Sequence, residues 1–315
     1  MAGASDTHQH LWPAELVDRL RSRTAPPCLR GWTLHLEGRP PQPIDPAHHD
    51  VAVRLDHDRC DGVDGTWLAL DPSLVDQPDL VTAWLDGVGR LAPHFRAWVP
   101  GGDDLDRLAT RLADGCVGVQ LSATAVASPT GWERVEPLLA VAEAAGRPVL
   151  VHPGGSTGLA TGGPAPAWWG PVVDDVAQLQ AAWWAWHAAG VRARFGSLRV
   201  VFAGGAGLAP VLHERRTASG GGRLTVDPDL FVDTAGCGPQ ALDALVRVLG
   251  IDVLVAGSDR PHTEPLGSQV LDRALGDAAT HAVRVANPAR LLDGPPATTT
   301  RSRHPREERT WPRAS

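Results

Sequence analysis

A short apolar run followed by a helical pattern recurs eight times between residues 4 and 292. The runs are residues 4–10, Thr66–Leu70, Phe95–Pro100, Cys116–Leu121, Pro148–His152, Leu198–Ala203, Asp229–Thr234 and Asp252–Gly257. Strands that are apolar on both faces and alternate with helices demand a parallel sheet, because only helical crossovers cover both sides. Eight such units in about 290 residues match the arithmetic of a (β/α)8 TIM barrel. An open doubly wound sheet is the competing α/β layout. It is disfavoured because no G-x-G-x-x-G follows the first strand. After the first unit the rhythm is interrupted by residues 25–50, rich in Pro and Gly, where the alternation in Gly31–Gly38 predicts a small hairpin insertion. The barrel is expected over residues 1–293. The Pro-, Thr- and Arg-rich segment 294–315 is expected to be a disordered tail.

Composition removes several chemistries. All 29 residues counted as Lys+Arg are arginine, and tyrosine is absent. A Schiff-base lysine, a Walker lysine, a carbamylated lysine bridging two metals and a tyrosine acid are therefore excluded. The net charge of −7 offers no basic field for nucleic acid or an anionic membrane. Cys28, Cys60, Cys116 and Cys237 lie far apart, with no CxxC pair, which fits a reducing compartment better than a disulfide framework. There is no basic, then apolar, leader, and the long uncharged run Pro148–Val173 is too rich in Gly and Pro to be a membrane helix. A cytoplasmic protein acting on a small molecule is the expectation.

Chemistry concentrates at strand ends. His8 and His10 in Asp6-Thr7-His8-Gln9-His10 are spaced i, i+2, so on a strand they point the same way. His152 ends the fifth run and Asp259 follows the eighth. In a barrel the last strand closes beside the first, and functional side chains gather at the C-terminal rim. Three imidazoles and one carboxylate on one rim form a shell suited to a single divalent cation, zinc or manganese. His48 and His49 fall in an Asp–Pro turn and read as solvated loop residues. Trp183, Trp184 and Trp186 read as packing, at the core and at an interface that makes a homodimer plausible.

The pieces Asp6-Thr7-His8-Gln9-His10, Val151-His152-Pro153-Gly154-Gly155, Gly257-Ser258-Asp259-Arg260-Pro261-His262 and Ala286-Asn287-Pro288-Ala289-Arg290-Leu291, in this order, resemble the amidohydrolase superfamily over about residues 4–293. The most similar branch contains aminocarboxymuconate-semialdehyde decarboxylase and aromatic-acid decarboxylases. The resemblance implies a barrel with one divalent metal, usually zinc, held by His8, His10, His152 and Asp259. It also implies either a metal-activated water attacking a small carbonyl-containing or cyclic substrate, or a metal that orients an acid for nonoxidative decarboxylation.

One departure matters. The family's sixth strand ends in a histidine that moves protons, and Gly204 stands there. The fourth strand offers Gln120 where binuclear relatives carry a lysine, so a second metal is not expected. Three readings stay open: His262 takes the proton role, Asp259 is both ligand and base, or the protein is a silent relative that only binds a ligand. Arg260 is a candidate fork for a substrate carboxylate, or else a structural salt bridge. The Gly-rich loop from Gly154 and Gly155 to Gly170 is a candidate lid closed by Trp168 or Trp169. His213 is expected to face away. Hydrolysis is the first expectation, decarboxylation the neighbouring one, and ligand binding without catalysis the third.

Overall fold

The computed structural model describes residues 3–154, 166, 168–264 and 268–294. Eleven strands are present among them. β1 (Ser5–Gln9) is followed by β2 (Cys28–Arg30), β3 (Thr33–His35) and β4 (Gln42–Pro43). Then come β5 (Gly65–Leu68), β6 (Phe95–Pro100), β7 (Gly118–Ser122), β8 (Val149–His152), β9 (Val200–Phe202), β10 (Leu230–Asp233) and β11 (Leu254–Val255). The order β1-β5-β6-β7-β8-β9-β10-β11 forms one parallel eight-stranded sheet, the TIM barrel expected from the rhythm of the sequence. The helices between them include α1 (Ala14–Ser22), α2 (Val51–Cys60), α3 (Pro78–Gly89), α4 (Leu105–Ala113), α5 (Pro129–Arg134), α6 (Glu136–Ala144) and α7 (Asp175–Ala189).

Backbone bonds from the chain's two ends close the barrel. Thr7 N–H donates to Ala256 O (2.8 Å), Asp259 N–H to His8 O (2.8 Å) and His10 N–H to Arg260 O (2.6 Å). Every residue of β8, Val-Leu-Val-His, is buried, as a strand covered on both faces must be. At Gly118 on β7, a Cβ would sit 2.0 Å from Pro148 O, so only glycine lets the two strands meet there.

The insertion is a three-stranded antiparallel sheet, β2-β3-β4, one strand larger than the predicted hairpin. It corrects the reading of His49. That ring stacks on Trp12 at 4.6 Å and stands 6.5 Å from Trp32, and its Nδ1 accepts Trp12 N–H (3.2 Å). Burial, aided by the charges of Arg54 and His48, pushes its pKa down to about 3, so it remains a neutral acceptor. His48 is exposed, as expected.

α7 lies against the barrel through Trp183 and Trp186. Trp183 meets Phe202 edge-on at 5.2 Å, and Trp186 meets Trp132 at 5.0 Å. His213 faces these outer aromatics, 6.0 Å from Trp183 and 5.7 Å from Trp184. The segment after β9 does not begin as an ordinary helix. Gly204, Gly205, Ala206, Gly207 and Leu208 all have φ between 54° and 59°, a left-handed turn. Each non-glycine residue there costs about 1–2 kcal/mol, which is why three of the five are glycine. No helix among the described residues is long and apolar enough to cross a membrane, and the four cysteines are free thiols.

Candidate metal centre

The ends of β1 and β8 and the turn after β11 bring four side chains together. The ligand atoms of His8, His10, His152 and Asp259 all lie within 4.8 Å of one another. His10 Nε2 is 3.1 Å from Asp259 Oδ1 and 3.2 Å from His152 Nε2, and His8 Nε2 is 3.5 Å from Asp259 Oδ1. Four donors around a tetrahedral zinc at its usual bond lengths stand roughly 3.3 Å apart. His8 Nε2 is buried with no hydrogen-bond partner among the described residues, and Asp259 Oδ1 is met there only by the ring nitrogens of His10 and His8. Polar atoms left so inside a shell of that spacing fit a divalent cation.

The outward nitrogens are fixed. His8 Nδ1 donates to Asp233 Oδ2 (2.8 Å), and His152 Nδ1 donates to the Pro153 carbonyl. Both tautomers therefore present Nε2 to the centre. Asp259 sits at φ 59°, a left-handed conformation that aspartate tolerates better than most residues. Its N–H is held by His8 O (2.8 Å), so ligand and strand share one joint.

Charge in the site is divided. Burial works against an imidazolium at His8, but the Asp233 hydrogen bond and the charges of Asp259, Asp233 and Asp6 overcome it and raise the pKa to about 9. His152 is pushed well down, by burial first and then by His8 and His10. Burial raises the Asp259 carboxyl, yet the His10 hydrogen bond and the His8, His10 and His262 charges outweigh it and leave it lowered. Cation binding at His8 is thus a competition with a proton.

Asp233 was not singled out in the sequence, although it ends the seventh barrel strand on the same rim. Its Oδ1 accepts Gly204 N–H (2.7 Å) and Ala235 N–H (3.0 Å) while Oδ2 holds His8. Asp233→Asn replaces an acceptor facing His8 Nδ1–H. It is expected to weaken zinc binding by about 10–100-fold, as outer-shell changes do. A chelator competition titration checks this, and an unchanged affinity would dismiss Asp233 as an orienting group.

Beneath the ligands lies a polar brace that the sequence reading missed. Asp6 Oδ1 accepts His8 N–H (3.1 Å) and Ser258 N–H (3.0 Å), tying β1 to the Asp259 turn. Gln9 Nε2 donates to Asp6 Oδ2 (2.7 Å) and to Asp58 Oδ1 (3.1 Å). Arg54 donates to Gln9 Oε1 and to His10 O (3.2 Å). Arg54 and Asp58 both come from α2, capped by Asp50 at Ala52 and Val53 N–H.

His262 is exposed on the rim with its ring 5.0 Å from that of His10. Arg260 is buried and its guanidinium is taken by two carboxylates, Asp61 Oδ2 (2.7 Å) and Glu264 Oε2 (3.0 Å), so the fork expected for a substrate carboxylate makes a salt bridge instead. Gln120 bonds both ways to the Leu70 backbone, at 3.0 and 2.8 Å, and offers no donor to a second metal. Trp168 is 58% exposed, with Trp169 beside it at 5.9 Å. Residues 155–165 of the candidate lid, Gly155 included, and the tail 295–315 lie outside the described residues.

A (β/α)8 barrel whose rim gathers three histidines and one aspartate spaced so that they could hold a metal ion is the class that fold and site define. The amidohydrolase family model matches residues 5–294, and the chain belongs to that family. No functionally curated sequence matches it. Solved structures share the fold at low identity. IDCase from Metarhizium anisopliae is 19% identical with a TM-score of 0.72, over 92% of this chain and 97% of that one. The 2,6-dihydroxybenzoate decarboxylase from Rhizobium is 14% identical with a TM-score of 0.59, over 93% and 99%. The 5-carboxyvanillate decarboxylase from Novosphingobium aromaticivorans, complexed with manganese and 4-hydroxy-3-methoxy-5-nitrobenzoic acid, is 15% identical with a TM-score of 0.62, over 92% and 96%.

Proposed function

We propose that this protein is a metal-dependent nonoxidative decarboxylase of a small unsaturated or aromatic acid. One observation carries the reading: the donor atoms of His8, His10, His152 and Asp259 lie within 4.8 Å of one another, but the end of β9 supplies no imidazole to handle water. Hydrolysis needs a base for the attacking water and an acid for the leaving group. Decarboxylation needs only one proton, delivered to carbon. The reaction balances as RCO2− plus H+ giving RH plus CO2.

His8, His10, His152 and Asp259 would hold zinc or manganese, which supplies a Lewis acid that binds and polarises the substrate's oxygen atoms. Asp233 and the Pro153 carbonyl keep the two imidazoles aimed. The decarboxylases that share the fold support this reading over hydrolysis. Hydrolysis is the second reading, favoured by the family match.

The test uses protein loaded with Mn2+ or Zn2+ and 13C-carboxyl-labelled 5-carboxyvanillate and 2,6-dihydroxybenzoate, together with lactones and amides in 18O water. Labelled CO2 with a product one carboxyl shorter is the expected result. Incorporation of 18O without CO2 would replace decarboxylation by hydrolysis.

A further inference from the structure

The position after β9 is walled by α7. A Cβ on Gly204 would lie 3.3 Å from Leu179 Cδ1, and one on Gly207 would lie 2.7 Å from Val176 O. Residues three and four apart share a helix face, so Asp175, Gln178 and Leu179 look the same way. That face meets the barrel mouth: Gln178 is buried and its Oε1 accepts the N–H of Gly154, two residues beyond His152, at 2.8 Å. Asp175 stands one turn nearer the N-terminus of α7 and is half-buried. The charges acting on it come from Asp259 and His262, in the turn after β11, and from its neighbour Asp174. Among the described residues no arginine pairs with its carboxylate.

We infer that Asp175 is the proton carrier of this site, acting from α7, the helix that walls the end of β9. The inference rests on the decarboxylase reading only for the atom that receives the proton. The carbon–carboxylate bond breaks and its electron pair stays on the substrate carbon. The Asp175 hydroxyl gives its proton to that carbon, CO2 leaves, and solvent reprotonates the carboxylate. Burial, with the Asp259 and Asp174 charges, lifts the Asp175 pKa to about 6 against the opposing pull of His262.

Two measurements test it. In the first, protein carrying 13C-labelled aspartate carboxyls is titrated by NMR, and the Asp175 signal is assigned by its loss in Asp175→Asn. A midpoint well above the ordinary aspartate value, falling when Zn2+ is added, is expected. An ordinary midpoint that ignores Zn2+ overturns the inference whatever the reaction is. In the second, Asp175→Asn in the metal-loaded enzyme is expected to lose about 100-fold or more in kcat while metal content and KM stay the same. Asp175→Glu is expected to recover part of the rate. CO2 release at the wild-type rate by Asp175→Asn overturns the inference and leaves the decarboxylase reading standing. No CO2 from the wild-type protein sinks that reading instead, and the titration then decides on Asp175.

Discussion

Asp259→Asn is expected to leave the fold intact and remove the metal. Asparagine accepts the left-handed backbone at this position as readily as aspartate, and its N–H can still bond His8 O. What disappears is the only anionic oxygen in the shell, 3.1 Å from His10 Nε2 and 3.5 Å from His8 Nε2. A neutral amide offers a dication a far weaker oxygen. The loss should exceed the roughly 10–100-fold that outer-shell changes cost. Elemental analysis after dialysis against a mild chelator reads the result, with thermal unfolding alongside to verify the fold. About one zinc or manganese per wild-type chain, and a small fraction of that in the variant, is the expected outcome. Equal loading would remove Asp259 from the ligand set.

Asp58→Ala should be the most damaging change to stability. The carboxylate is fully buried and receives three donors: Gln9 Nε2 at 3.1 Å, Thr66 Oγ1 at 2.7 Å and His94 Nε2 at 2.8 Å. Alanine takes an acceptor from each, but Gln9 keeps Asp6 Oδ2 and His94 is partly open to water, so the buried Thr66 hydroxyl is the group left orphaned, at about 1–3 kcal/mol. Arg54 nearby also loses the charge of Asp58. The loss at Thr66 is already a sizeable part of the roughly 5–15 kcal/mol that holds a typical domain. Urea unfolding should show a lower midpoint with an unchanged slope. A shift below about 1 kcal/mol would mean that water replaces the lost acceptor and that the brace is dispensable. Gln9 lies between two ligands on β1, so the same variant should also hold metal less tightly.

These two residues mark what the sequence makes legible. Asp259 could be found because a barrel places function at strand ends, and His8, His10 and His152 occupy other ends of the same rim. Asp58 could not. α2 has no apolar stripe, and its buried side chains are Arg54 and Asp58, so periodicity sees a polar segment where the fold has a helix. Its burial is repaid by Gln9, Thr66 and His94, partners 8 to 49 residues away. Asp233 was hidden for a related reason: an aspartate ending a strand looks alike whether it binds metal, orients a ligand or caps a loop. Arg260 shows the converse: Glu264 lies only four residues away, but Asp61, its other carboxylate partner, becomes a neighbour only once the barrel closes. Beyond Gly204 and Gly205 the sequence reads as helix through His213, yet Ala206, Gly207 and Leu208 continue the left-handed turn, and only the sign of φ separates the two conformations.

His8 and His10 belong to the first strand and Asp259 to the turn after the last, so a cation gripping all three would tie the chain's two ends together. Such an ion works as a removable cross-link closing a loop of about 250 residues, which restricts the unfolded chain far more than a clip between near neighbours would. The centre that prepares the substrate would then also be the clasp that keeps the ring shut.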